Sequence, residues 1–337
     1  MSQMNRRKFV TTAVAGALAA QAAPGPKTKM GVAATCYLTV ARPRDTMAFL
    51  EQQAANGAGG IQMALSSLEP EFLKRLRTRA EQLGMYLEVM GPLPGADDTQ
   101  FRKIIAAAKE VGAQCIRCGC LNGRRYETFD TFDKWKAFVD TSRSSLVRAA
   151  SIVEKEKFPL GLENHKDWTN DEMVALMKEF SSEYFGVCLD TGNNISLLDD
   201  ANDTIDALLP YVQTTHIKDM GIKEYEDGFL LSEVLFGAGM LDIPKVVAKV
   251  RQARPKANII LEVITRDPLK VPCLTPKYWT TFRNRSGEVL ARSLRATRQL
   301  GTRELPYISQ LSKPEQAEVE NRNVQLCLDY AAAKIAI

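Results

Sequence analysis

Four residues of this chain have the type and placing to hold a metal: Glu163, Asp190, His216 and Glu262. Each ends a short apolar run that reads as a buried β-strand. The runs are Pro159-Leu-Gly-Leu-Glu163, Phe185-Gly-Val-Cys-Leu-Asp190, Val212-Gln-Thr-Thr-His216 and Ile259-Ile-Leu-Glu262. Strands buried on both faces are near-continuously hydrophobic, so an ionisable residue closing each one needs a reason. Three carboxylates and an imidazole converging on one point would repel without a cation between them. An oxygen-rich set with one nitrogen suits Mn²⁺ first, or Mg²⁺, with Zn²⁺, Fe²⁺ and Co²⁺ as less favoured ions. Alone, Glu163 or Asp190 would read as half of a buried ion pair; the four together read as a metal centre. The first two gaps between them are each about one strand-plus-helix unit, which predicts a site at the C-terminal mouth of a parallel barrel.

The rest of the chain supplies the elements to position such a set. Strand-like runs at 30–37, 60–65, 85–90 and 114–120 precede the four above. Helical patterns separate them: 46–56, Pro70 to Gly84, a helix capped by Asp98, and 132–155. In the second half, Thr169-x-x-Glu172 is a capping box, a helix lies around 204–209, and Asp242-Ile-Pro244 opens another. Residues 287–302 read as the eighth helix. Eight βα units in about 260 residues predict an α/β fold, a (β/α)8 TIM barrel over residues 28–302. No glycine-rich phosphate fingerprint follows the first strand, which argues against an open dinucleotide-binding sheet. Residues 220–241 and 265–286 read as long loops on the site face. Ser312-Lys-Pro314 starts a C-terminal helical extension over 303–337, packing on the barrel or against a second copy in a homo-oligomer.

Composition narrows the function classes. Among 337 residues, 45% are hydrophobic, enough for a full core, and the net charge is only +4. No basic stripe interleaves with aromatics, so nucleic acid is not expected as a partner. Seven cysteines are an odd number in a large chain. Cys115, Cys118 and Cys120 read as buried small residues of a strand, since alternation turns Cys115 away from the other two. At the N-terminus, Asn5-Arg6-Arg7-Lys8-Phe9-Val10 precedes an apolar stretch to Ala20, and Ala20-Gln21-Ala22 offers small residues for cleavage. That stretch is too short to span a bilayer, so residues 1–27 read as an export signal removed without stable membrane insertion. The paired arginines resemble the twin-arginine type, which moves folded proteins to the periplasm. An arginine-flanked general secretory signal, or an uncleaved anchor, is the alternative.

Four motifs carry a resemblance to a known family. Gly161-Leu-Glu-Asn-His165, Cys188-Leu-Asp-Thr-Gly-Asn193, His216-Ile-Lys-Asp219 and Gly237-Ala-Gly-Met-Leu-Asp242 resemble recurring segments of the xylose isomerase-like TIM barrel superfamily. Their order before a terminal-strand Glu262 fits over roughly residues 28–300. The resemblance implies one divalent metal, usually Mn²⁺, on Glu163, Asp190, His216 and Glu262. In the family's ketose epimerases the two glutamates also form the acid/base pair, which makes Glu163 and Glu262 the expected catalytic residues. Two positions depart from those epimerases: Asn193 stands where they carry a His and Ile222 where they carry an Arg. The family's DNA-repair endonucleases need a histidine-rich trinuclear site, which His165 and His216 alone do not supply.

Further residues are expected near a small carbohydrate substrate. Strand alternation aims His165 inward with Glu163, and Lys218 inward with His216. Lys218 would bind a substrate oxygen or pair with a carboxylate. Asp219 would sit behind a ligand or cap the following turn, and Arg266 would reach substrate from the long loop or lie in solvent. Tyr278-Trp279 would stack on a sugar ring or pack the tail. The chemistry expected is isomerisation or epimerisation of a free or keto-oxidised sugar or glycoside, by proton transfer beside a carbonyl. A dehydratase or lyase shares the same opening step, and a non-catalytic carbohydrate-binding barrel is the rival outside catalysis. Export carries its own test. Arg6→Lys with Arg7→Lys should trap precursor in the cytoplasm, and unimpaired processing in that double mutant would rule the twin-arginine route out.

Overall fold

The computed structural model describes residues 25–302 and 304–337. Residues 1–24 of the expected export signal lie outside them. The chain begins with β1 (Gly31–Ala33), α1 (Thr46–Asn56), β2 (Gly60–Met63), α2 (Pro70–Leu83), β3 (Tyr86–Met90) and α3 (Thr99–Glu110). It continues through β4 (Ile116–Cys118), a short α4 (Arg125–Thr128), α5 (Phe132–Glu156), β5 (Leu160–Glu163), α6 (Asn170–Phe180), β6 (Phe185–Asp190) and α7 (Ala201–Leu208). Then come β7 (Val212–His216), β8 (Asp219–Tyr225), β9 (Gly228–Val234), α8 (Ile243–Ala253), β10 (Ile260–Leu261), β11 (Leu269–Val271), α9 (Gly287–Leu300) and α10 (Lys313–Lys334).

Eight strands pair in parallel in the order β10-β1-β2-β3-β4-β5-β6-β7. The ring closes where the Ile217 amide donates to the Ile260 carbonyl (2.7 Å) and the Glu262 amide to the Ile217 carbonyl (3.0 Å). The fold is a (β/α)8 barrel, and one of its closing hydrogen bonds comes from the backbone of a site residue. Local chemistry sets the helices that wrap it. Asp45 caps α1 by accepting from the Ala48 amide (2.8 Å), and Gly57 ends it at φ +85°. The Thr169 and Glu172 capping box forms as the sequence suggests. Asp98 does not cap α3 through its side chain; its carboxylate pairs with Arg102 one turn on, at 2.9 Å. The first strand is also shorter than expected, because the chain turns into a 3₁₀ segment at Ala34–Tyr37.

The two long loops are more ordered than the sequence suggests. The first folds as the β8–β9 hairpin, and β11 from the second pairs antiparallel with β9. Asp219 anchors this layer. Its two carboxylate oxygens accept from the amides of Met220, Gly237, Gly239 and Leu241 at 2.9–3.0 Å. A Cβ on Gly239 would lie 2.2 Å from the Asp219 carboxylate, and Gly237 has φ +83°, so both positions demand glycine. Tyr278 and Trp279 are packing residues. The Tyr278 hydroxyl donates to the Ser196 carbonyl (2.9 Å), its ring stacks on Phe282, and the Trp279 indole donates to the Cys273 carbonyl (2.8 Å). All seven cysteines are free thiols, and Cys115 and Cys118 are buried. No helix of the described residues is long and apolar enough to cross a membrane.

The C-terminal extension packs on its own barrel. Glu320 of α10 is fully buried and accepts from the amides of Thr39, Val40 and Ala41 at 2.8, 3.1 and 2.9 Å. That carboxylate holds the loop leaving β1, just beyond the Thr35 hydroxyl that reaches the site. Truncating it leaves three amides without an acceptor, so Glu320→Ala should destabilise the fold by about 2–4 kcal/mol. Urea unfolding measures it, and a loss below about 0.5 kcal/mol, the range of ordinary surface changes, would show that the tail does not secure this loop.

Candidate metal centre

The barrel brings the four strand-end residues together. One ligand atom from each of Glu163, Asp190, His216 and Glu262 lies within 4.8 Å of the other three, and all four side chains are buried. Register explains part of this, since Asp190 and His216 are paired across β6 and β7. His216 Nδ1 lies 3.6 Å from a Glu163 oxygen, 3.9 Å from Asp190 and 3.4 Å from Glu262. Ligand atoms bound at about 2.0–2.4 Å to one ion stand roughly 3–4 Å apart. The spacing therefore fits a single divalent ion.

The state of His216 is set from behind. Its Nε2 contacts the Gln62 side-chain oxygen at 2.6 Å. The Gln62 amide nitrogen donates to Glu88 (2.9 Å), which also accepts from Thr214 (2.7 Å) and Asn258 (2.8 Å). Because the carboxylate takes the Gln62 NH₂, the Gln62 oxygen must face the imidazole and accept Nε2–H. The proton is thereby placed on Nε2, and Nδ1 is left as a lone pair pointing at the carboxylates with no hydrogen-bond partner. Burial pushes the His216 pKa below its ordinary value, which favours the neutral, ligating form. An unpartnered, buried, deprotonated nitrogen beside three carboxylates is the donor set of a divalent-metal site, and it is present here.

Cations hold the outer oxygens of the two glutamates and the inner oxygen of Asp190. The Arg117 guanidinium pairs with Glu163, and the Lys218 ammonium pairs with Glu262 and with Asp190, the latter at 2.7 Å. Thr35 donates to the Glu262 oxygen that faces His216 (2.6 Å), and Asn193 donates to the corresponding Glu163 oxygen (3.0 Å). Burial opposes ionisation of Glu262, but the Lys218 ammonium and the Thr35 hydroxyl favour its charged form. Burial alone would likewise deprotonate Lys218, yet Asp190, Glu262 and Glu233 raise its pKa above the ordinary lysine value.

The other expected residues divide. Lys218 is in the centre, paired with two carboxylates. His165 is half-buried at the end of β5, with a pKa driven well below normal by burial and by Lys166 and Arg117, and its Nδ1 has no partner. Asp219 is committed to the hairpin amides. Arg266 pairs with buried Glu233 at 2.6 Å, close enough to the site for its charge to bear on Lys166. Sequence reasoning missed Gln62, Glu88, Arg117, Lys166 and Glu233, and marked Asn193 only as a departure from the epimerases. Beside Thr35 and Arg117 opens a cavity of about 610 Å³, with Met63, Met90, Leu93 and Phe138 among its apolar lining.

Comparison with known proteins agrees with this architecture. The model of the xylose isomerase-like TIM barrel family matches residues 50–304. The chain belongs to that family. It is 29% identical over 229 residues to a Pectobacterium atrosepticum protein named 3-oxo-isoapionate decarboxylase, covering 66% of this chain and 79% of that one. Its fold resembles D-psicose 3-epimerase of Clostridium cellulolyticum H10, solved with D-tagatose, at TM-score 0.54 and 17% identity, covering 80% and 96% of the two chains. It also resembles 3-keto-D-glucoside 4-epimerase of E. coli at TM-score 0.53 and 14% identity, covering 81% and 99%. At those identities the two structures bear on the fold alone.

Two substitutions test the metal centre by different routes. Asp190→Ala should abolish Mn²⁺ binding while far-UV circular dichroism stays native. Gln62→Leu keeps every ligand but frees the imidazole to change tautomer, and should weaken Mn²⁺ by roughly 10–100-fold. Wild-type affinity in Gln62→Leu would mean that the tautomer is fixed by something else.

Proposed function

We propose that this protein is a metal-dependent sugar isomerase or epimerase, working by proton transfer beside a carbonyl. The observation that carries this reading is the disposition of Glu163 and Glu262. Each turns one oxygen toward His216 Nδ1, and each has its other oxygen held by a cation, Arg117 or Lys218. A divalent ion on the four ligands would polarise a carbonyl and its neighbouring hydroxyl, making the intervening C–H acidic. Glu163 and Glu262 approach from different strands, so one carboxylate can take the proton and the other can return it. Lys218 keeps Glu262 ionised. The cavity beside Arg117 and Thr35 offers space for a sugar. The export expected from the N-terminal pattern favours a free or keto-oxidised sugar or glycoside over a sugar phosphate, and Mn²⁺ as the ion acquired before export.

A second reading has its own support. The centre is rich in cations, and the decarboxylase relative is named for a keto sugar acid. On such a substrate the same centre would break a carbon–carbon bond, leave the electron pair on carbon beside the carbonyl, and protonate that carbon. A screen of free, phosphorylated and 3-keto sugars and sugar acids in D₂O separates the two. An isomerase or epimerase incorporates carbon-bound deuterium without losing a substituent, whereas a lyase incorporates it with loss of one.

The acid/base roles are tested by Glu163→Gln and Glu262→Gln. Each keeps a ligating oxygen but removes the proton-accepting charge, so turnover should fall about 10²–10⁴-fold while metal binding falls less. Turnover retained in either mutant would show that the proton passes elsewhere, with His165 and Lys218 as the next candidates.

A further inference from the structure

Four cationic side chains surround the centre, and three have carboxylate partners. Arg117 pairs with Glu163, Lys218 with Asp190 and Glu262, and Arg266 with Glu233. Lys166 is the exception. It is only 4% exposed, yet among the described residues no carboxylate lies within ion-pair distance of its ammonium. The polar partner of that ammonium is the side-chain oxygen of Asn193. A buried charge paired only with a neutral amide costs stability and is retained where something else compensates it.

The surroundings hold Lys166 in place. The Asn193 NH₂ donates to Glu163 at 3.0 Å, which turns the amide oxygen toward Lys166. The Asn193 backbone is fixed in turn, its amide donating to Asp190 at 2.8 Å. The Lys166 carbonyl accepts from the Arg125 amide at 2.9 Å. Arg125 is itself clamped, stacked 3.6 Å from the Trp135 ring and paired with Glu172 at 2.6 Å. The ammonium is therefore pre-positioned one side chain away from Glu163.

Charge balance points the same way. Glu163, Asp190, Glu262 and Glu233 bring four negative charges, against three positive ones on Arg117, Lys218 and Arg266 and a partly charged Lys166. A divalent ion tips this set to a positive excess even before Lys166 is counted. Burial, with Lys218 and Arg266 nearby, pushes Lys166 down to about 7 against the more distant pull of Glu233 and Asp190, so an arriving anion would favour its charged form.

We propose that Lys166, braced by Asn193, is the binding group for an oxyanion carried by the substrate, which makes that substrate an anionic keto sugar. The chemistry shared by a sugar acid and a sugar phosphate is the oxyanion, and the test separates the two. This deepens the proton-transfer reading and rests on it, since the anion is placed beside the same metal centre.

The test is calorimetric titration of the full chain, with and without Mn²⁺, using malonate, inorganic phosphate and neutral dihydroxyacetone as probes. Lys166→Met should weaken one of the two anions by roughly 30-fold or more. Mn²⁺ and dihydroxyacetone affinities should stay within about twofold, a span well under the 1.4 kcal/mol of a tenfold change. Lys166→Arg should keep most of the anion affinity, and Lys166→Gln serves if the Met variant does not fold. A loss confined to malonate assigns a carboxylate substrate, and a loss confined to phosphate assigns a phosphorylated one. Unchanged anion binding in both neutral variants, or no anion binding by the wild type, overturns the proposal. Failure of the wild type to bind Mn²⁺ is scored in the same experiment and would sink the metal reading instead.

Discussion

Everything at the mouth of this barrel depends on keeping three carboxylates ionised within a few ångströms of one another and out of water. Burial raises carboxylate pKa values, and mutual repulsion raises them further. The chain opposes both effects with fixed cations on the outer oxygens of the glutamates and hydrogen-bond donors on their inner ones, an order reversed at Asp190. Arg117 serves Glu163, Lys218 serves Glu262 and Asp190, and the Thr35 hydroxyl and Asn193 amide complete the set. What remains unmet is the inward-facing space, where His216 Nδ1 has no partner. A divalent ion is the natural complement of that space, since it satisfies one nitrogen and several oxygens at once.

The same constraint reaches outward into the scaffold. Thr35 can donate to Glu262 only if the segment after β1 keeps its place, and that segment is held by Glu320 from the far C-terminus. Lys218 stands one residue before Asp219, whose carboxylate gathers four hairpin amides. The hairpin and the terminal helix, though outside the barrel proper, thus fix the groups that set charge at its centre. Such indirect support suits a site whose geometry must hold to within fractions of an ångström.

The four ligands were legible in the sequence because each is an ionisable residue closing an apolar run, and the ring of strands because such runs alternate with helical patterns. The supporting residues carried the same signal less visibly. Gln62, Glu88 and Arg117 each interrupt an apolar strand, and applying the reasoning used for Glu163 to β2, β3 and β4 would have found them. Register then makes Gln62 and Glu88 direct neighbours. Lys166 and Glu233 had no such signal, because they sit in a loop and a hairpin where polar residues are ordinary, and Asn193 stood out only as a departure from the epimerase pattern. The hairpin itself was hidden because glycine and polar residues at its ends imitate a loop. Asp219 looked like a site residue because it follows His216 closely in sequence. Its role became clear only from the amides that its carboxylate gathers.

The departures from the ketose 3-epimerases have a physical consequence. The resemblance to those epimerases puts a His at position 193 and an Arg at position 222. In this chain Ile222 is buried in β8, opposite Leu231 of β9, and leaves no cation there. Positive charge instead comes from Lys166 on the loop after β5 and Arg266 beyond β10, while Asn193 ties Lys166 to Glu163. Moving the charge does not disturb the four ligands, so the proposed metal centre is left intact. It does change what can lie beside them. A neutral-sugar site supplies hydrogen bonds that switch partners along a polyol, whereas a fixed, underpaired ammonium rewards one group in one place. The proposed preference for an anionic substrate thus rests on residues outside the metal set and asks for no change in the barrel or its four ligands.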